Sequence, residues 1–159
     1  MVEVYRHLVL SFQSRSRAWI KARFPGRVRS GMENLEAIVR AYLGLAGQNS
    51  TRPRAMHLMW AESFSSVPEL REEVRALNAR SLAGIAEQLH AGIRRGEIDP
   101  DVDVESLAIA ILGLLRGATA QYLLEPETVD IERLSNTIVA MLRGGITTRQ
   151  PVSAPTETS

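Results

Sequence analysis

An all-α fold is predicted from three observations. Apolar residues recur at three- and four-residue steps along most of the chain. The periodic segments are separated by proline, glycine and helix-capping residues, the signals that start and stop helices. No stretch alternates β-branched with polar residues, and no Asn-Gly or Asp-Gly hairpin turn occurs.

Six helices follow in order. The first spans about Val2 to Arg23, with Tyr5, Leu8, Val9, Phe12, Trp19 and Ile20 as its apolar stripe, and Pro25-Gly26 ends it. The second opens at Ser30, which with Glu33 has the spacing of a capping box. Leu35, Ile38, Tyr42 and Leu45 then share a face, and Gly47 to Asn49 close it. The third begins near Pro53, a residue suited to a first helical turn, and holds Met56, Met59, Trp60 and Phe64. The fourth and longest is headed by Ser66 and Glu69, again a capping-box pair. Its stripe runs from Leu70 to Ile93, and Gly96 stops it after Arg94 and Arg95, whose charge suits the negative end of a helix dipole. Asp103 caps the fifth, which reaches Leu124 ahead of Pro126. Asp130 caps the sixth, which carries Ile131, Leu134, Ile138, Met141 and Leu142 to Gly144-Gly145. Residues 1–146 are expected to form one domain. The polar tail, 147–159, lacks an apolar stripe to offset its ordering entropy and is expected to be disordered.

At 159 residues the chain supports one substantial core. Apolar content of 45% and charged content of 23% are those of a globular protein. The net charge of +1 exerts no general pull toward nucleic acid or lipid. With no cysteine, disulfides, thiol catalysis and thiolate metal sites are excluded. The apolar run from Leu107 to Leu115 falls short of the roughly 20 residues a membrane span needs. The N-terminus lacks a signal-peptide layout, so a cytoplasmic location is expected, with no membrane partner. His7, His57 and His90 show no metal-ligand spacing. The string Asp99, Asp101, Asp103 fails as a calcium loop, because the sixth and twelfth positions counted from Asp99 are Val104 and Ala110 rather than glycine and glutamate. A turn followed by a helix cap explains these carboxylates better. No phosphate loop or nucleophile elbow appears, so neither cofactor nor metal nor enzymatic activity is expected.

Several segments carry a family likeness. These are Trp60-Ala61-Glu62-Ser63, Pro68-Glu69-Leu70-Arg71, the run from Gly92 to Asp103 (GIRRGEIDPDVD), Leu114-Leu115-Arg116-Gly117, and the Asp130-headed closing helix. In this order and spacing the chain resembles the C-terminal ligand-binding and dimerisation domain of TetR-family transcriptional regulators, in the BetI-like subgroup. The resemblance implies a homodimer whose last two helices build a four-helix bundle across a two-fold axis. It also implies a small-molecule effector inside each subunit's helices. The family's N-terminal helix-turn-helix has no counterpart ahead of Tyr5, so no direct DNA binding is expected from this chain alone. Either the reading frame starts late or this is a single-domain relative. Residues 1–29 hold seven Lys or Arg against Glu3 alone, without a reading helix to make use of them.

The candidate effector site gathers Tyr42, Met56, Met59, Trp60, Phe64, Asn78 and Ser81, aromatic walls with a few polar groups. Glu62 joins them, since a carboxylate beside aromatics could hold a cationic effector. The expected effector is apolar or cationic. Each of these residues also serves as ordinary core or solvated surface in the alternative reading. The candidate pairing face gathers Ala110, Gly113, Gly117, Ala120 and Gln121 on the fifth helix with Leu134, Ile138 and Met141 on the sixth. Two glycines inside a helix cost roughly 1 kcal/mol each against alanine, which points to a backbone passing close by, in a second copy or within the chain. The expected function is effector sensing and dimerisation in a TetR-type transcriptional regulator. The rivals are a stand-alone binding protein that pairs with a full-length relative and, last, a helical enzyme.

Overall fold

The computed structural model describes residues 31–47, 51–64 and 68–147. Five helices occupy them: α1 (Gly31–Gly47), α2 (Thr51–Glu62), α3 (Pro68–Arg94), α4 (Val104–Leu124) and α5 (Ile131–Ile146). The helix expected over Val2 to Arg23, the cap residues Ser30 and Ser66, and the tail from residue 148 onward lie outside the described residues.

α1 is the central post. It packs on α3, α4 and α5, and so buries residues on more than one face. Leu35, Val39 and Leu43 are fully enclosed, while Ile38 and Tyr42 lie at the edge of that core. The stripe anticipated through Ile38 and Tyr42 is therefore only one of the buried sides of α1. At its head, Gly31 crosses α3 so closely that a Cβ there would overlap the backbone of Gly92 and Gln88. The backbone N–H of Met32 donates to Glu97 Oε2 at 3.2 Å, giving the head of α1 a carboxylate partner from a distant turn.

The helix ends follow local chemistry. Gly96, at φ 71°, takes the left-handed conformation that closes α3, with its N–H on Ile93 O and the Glu97 N–H on Gly92 O, both 2.9 Å. Ile98 is then driven into the core, and the Asp99 N–H donates to Ile146 O at 3.0 Å, tying this turn to the end of α5. Asp99 Oδ1 accepts from the Asp101 N–H, and Asp103 accepts from the Ser106 N–H and hydroxyl, so two of the three aspartates serve a turn and a cap. Asp130 caps α5 through the Glu132 and Arg133 N–H groups, each 3.0 Å away.

Buried side chains fall into two clusters. The main one holds seventeen residues of α1, α3, α4, α5 and the Ile98 turn. The smaller holds Met59, Leu70, Val74 and Leu77, with Met56 and Trp60 against it, and joins α2 to the first half of α3. Burial of Ile138, only 2% exposed, corrects one expectation: it is core rather than pairing surface. Its position on α5 turns it toward the chain's own interior, so it cannot also meet a second copy.

By length and composition α4 could cross a membrane, yet it packs against α1 and α3. Ala108, Ile111, Leu112, Leu115 and Ala118 supply its buried face. Only 33% of its most apolar stretch is buried within the single chain.

Candidate functional site: a cavity along the seam between two cores

A partly open cavity of about 370 Å3 lies between the two clusters, within the size range of small-molecule sites. Ile38, Tyr42, Ile85, Leu112 and Leu115 come from the main cluster's side, and Met56, Met59, Trp60, Val74 and Leu77 from the smaller. α1, α2, α3 and α4 all reach it. On α3, Arg80, Gly84 and Glu87 fall at steps of four and three residues and share the lining face, with Arg80 and Glu87 exposed. Gly84 leaves room there, since a Cβ would meet no atom within 4 Å.

Five of the eight residues expected from sequence line this cavity: Tyr42, Met56, Met59, Trp60 and Ser81. Ser81 returns its hydroxyl proton to Leu77 O, one turn earlier on its own helix. Asn78 is off the wall and acts through another residue, its Oδ1 accepting from Arg116 Nη1 at 2.8 Å. Phe64, 72% exposed, lies beyond the end of α2 and meets the Trp60 ring edge-on at a centroid distance of 5.5 Å. Glu62, at the last position of α2, is exposed and absent from the lining.

Arg116 is the residue that sequence inspection passed over, along with His57, Arg80, Glu87 and Gln88. Its guanidinium stacks 4.6 Å from the centre of the Trp60 ring. It also contacts Tyr42. Burial pushes the Tyr42 phenol above its ordinary value, and the charge and hydrogen bond of Arg116 pull it partly back. The Arg116 carbonyl is engaged as well, lying 3.1 Å from His57 Nε2, while His57 Nδ1 is 3.2 Å from Pro53 O. A carbonyl cannot donate, so the neutral ring, with its one N–H, makes one of these two bonds at a time. Arg116 thus ties α2 to α4 twice, through side chain and backbone. A signal was present in the sequence: from Ser106 to Leu124 it is the only charged residue.

The opposite side of α4 is bare. Ala110, Gly113, Gly117 and Gln121 are exposed, and Ala120 is half-buried at their edge. A Cβ at Gly113 or Gly117 would meet nothing within 4 Å, so close packing among the described residues does not account for these glycines. Ile109 and Leu124 are 60% and 74% exposed on the same helix. On α5, Met141 is 60% exposed and Leu134 is half-buried against the main core.

Residues 31–147 match the family described as BetI-type transcriptional repressor, C-terminal. No curated protein matches the chain. Among solved structures, a putative transcriptional regulator from Saccharomonospora viridis in complex with choline superposes with a TM-score of 0.77 at 20% identity, over 93% of this chain and 73% of that one. A TetR transcriptional regulator from Chloroflexus aurantiacus gives 0.74 at 20% identity, over 90% and 70%. The regulator FadR from Bacillus subtilis, in complex with stearoyl-CoA, gives 0.71 at 21% identity, over 91% and 74%. With the family match spanning most of its length, the chain belongs to the BetI-type C-terminal regulatory domains of the TetR family of transcriptional regulators.

Proposed function

We propose that this domain senses a small molecule in the seam cavity and forms a homodimer through the outward faces of α4 and α5. The observation that carries this reading is the two-sidedness of α4. One side presents Leu112, Leu115 and Arg116 to the cavity; the other presents Gly113 and Gly117 to open space. An apolar helix with most of its surface uncovered is a docking surface in search of a partner. Small residues at regular helical steps let a second helix approach closely, and a closed two-fold pair covers the same face on both copies. The S. viridis and B. subtilis neighbours, which share the fold, are in complex with choline and stearoyl-CoA, and this supports an effector for the present cavity.

Coupling between the two sides follows from position. Arg116 immediately precedes Gly117, so a ligand that displaces its guanidinium from Trp60 acts on α4 at the centre of the pairing face. Such a ligand shifts the assembly only by binding two arrangements of α2 and α4 with different affinity. Sedimentation velocity on the wild type and on Gly117→Leu tests the pairing. A dimer is expected for the first and a folded monomer for the second; a Gly117→Leu protein that remains paired refutes the assignment of this face.

A further inference from the structure

The charge on the cavity wall says more about its ligand than the aromatic residues do. Arg116 carries a permanent positive charge and five N–H donors. Its partners among the described residues are the neutral Asn78 amide oxygen, the Tyr42 hydroxyl and the Trp60 ring, and none is a carboxylate. Asn78 and Tyr42 leave donors to spare. A half-buried guanidinium held in place but not neutralised favours an incoming anion, because charge-assisted, two-pronged bonds to an acid outmatch neutral ones. The remaining formal charges of the lining are Arg80 and Glu87 at its exposed edge, which cancel.

The features that would receive a cation are poorly placed, since the one carboxylate of the lining, Glu87, lies at its exposed edge. The Trp60 face is covered by the chain's own guanidinium, and Glu62 is outside the lining. We propose that the ligand is a compact apolar carboxylic acid, its carboxylate received by Arg116 and its hydrocarbon body lying against Met56, Met59, Leu77 and Leu112. This rests on the seam cavity being the effector site. One guanidinium matches one negative charge, so a monoanion fits better than a phosphate monoester. The small volume suits a ligand that is short rather than long-tailed.

Thermal unfolding of the full chain tests the assignment with hexanoate, octanoate, decanoate and phenylacetate. Octyl phosphate, octanol and choline serve as the contrasting probes. At least one carboxylate is expected to raise Tm by about 5 °C or more at roughly a hundred times its Kd. Octyl phosphate is expected to give a smaller rise, and octanol and choline little or none. Arg116→Gln should weaken carboxylate binding about 10- to 100-fold, the loss of a charge-assisted contact, while Arg116→Lys restores part of it. Gly84→Phe, which places a ring where the wall now has space, should abolish binding of every probe without loss of fold. Octanol, octyl phosphate or choline matching the best carboxylate, or a folded Arg116→Gln that binds the acid as well as wild type does, overturns the carboxylate assignment and leaves the cavity as an effector site. Stabilisation that persists in Gly84→Phe, or none by any probe, overturns the cavity reading and this proposal with it.

Discussion

Two pairs of glycines in this domain sit in opposite surroundings. Gly31 and Gly92 mark the crossing of α1 over α3, where a Cβ at position 31 would overlap backbone and one at position 92 would strike the Ile98 side chain. Gly113 and Gly117 sit on α4 with nothing within 4 Å of where their Cβ atoms would be. The first pair is explained inside the chain, because the helices could not approach so closely with side chains present. The second pair weakens a helix and gains no contact among the described residues, which is what the proposed pairing face would ask of it. The same residue type therefore sits at a tight crossing in one place and beside open space in the other. Only the surroundings distinguish them.

Gly31→Ala should produce the largest effect. The added methyl meets backbone that cannot rotate away, and a loss of about 3 kcal/mol is expected in urea denaturation. A variant as stable as wild type would mean the crossing has room to spare. Gly117→Leu should leave subunit stability unchanged or raise it by about 0.5–1 kcal/mol through helix propensity. It should nevertheless weaken pairing by roughly 100-fold or more, because the overpacking occurs twice in a symmetric dimer. Denaturation combined with sedimentation separates these outcomes, and a loss of subunit stability would place Gly117 with the internal pair.

The smallest effect belongs to the cap of α4, which sets where both faces of that helix begin. Hydrogen bonds from the Ser106 side chain and backbone hold the Asp103 carboxyl below its ordinary value. A depressed carboxyl stabilises the fold fully above its unfolded value, near 3.8, and the contribution drains away as pH falls through the lower folded value. Wild type should therefore lose Tm in acid slightly faster than Asp103→Asn, whose cap carries no charge to titrate. Parallel acid melts of the two would assign the acid sensitivity elsewhere.

The helices were legible because their ends are written locally. Asp103, Asp130 and Gly96 each determine a boundary through bonds to residues within four positions, and the structure places those boundaries where sequence put them. α2 starts two residues earlier than Pro53 suggested, at Thr51, which keeps the proline in the first turn. The cavity was legible only in part. Tyr42, Met56, Met59, Trp60 and Ser81 stand out as aromatic, flexible or polar residues on apolar stripes, and all five reach the wall. Glu62 and Phe64 share those helical neighbours but lie exposed at and just beyond the end of α2, where sequence proximity to Trp60 does not mean a common face. Arg116 reaches Trp60 from fifty-six positions away in the chain, and no local pattern announces such a meeting. Ile138 shows the converse limit: a stripe residue on an amphipathic helix can serve the chain's own core or a neighbour's, and periodicity does not say which.

The division of the interior into a large and a small cluster leaves α2 lightly held. The smaller cluster that joins it to α3 has four buried residues against seventeen in the main core, with Arg116 and His57 as its latches across the seam. Swinging α2 outward costs a fraction of what unfolding the domain costs, so its amides should exchange with solvent well ahead of those of α1. On the proposed reading a guest enters without the house coming down, and the latch it lifts on the way in is the residue next to the proposed pairing face.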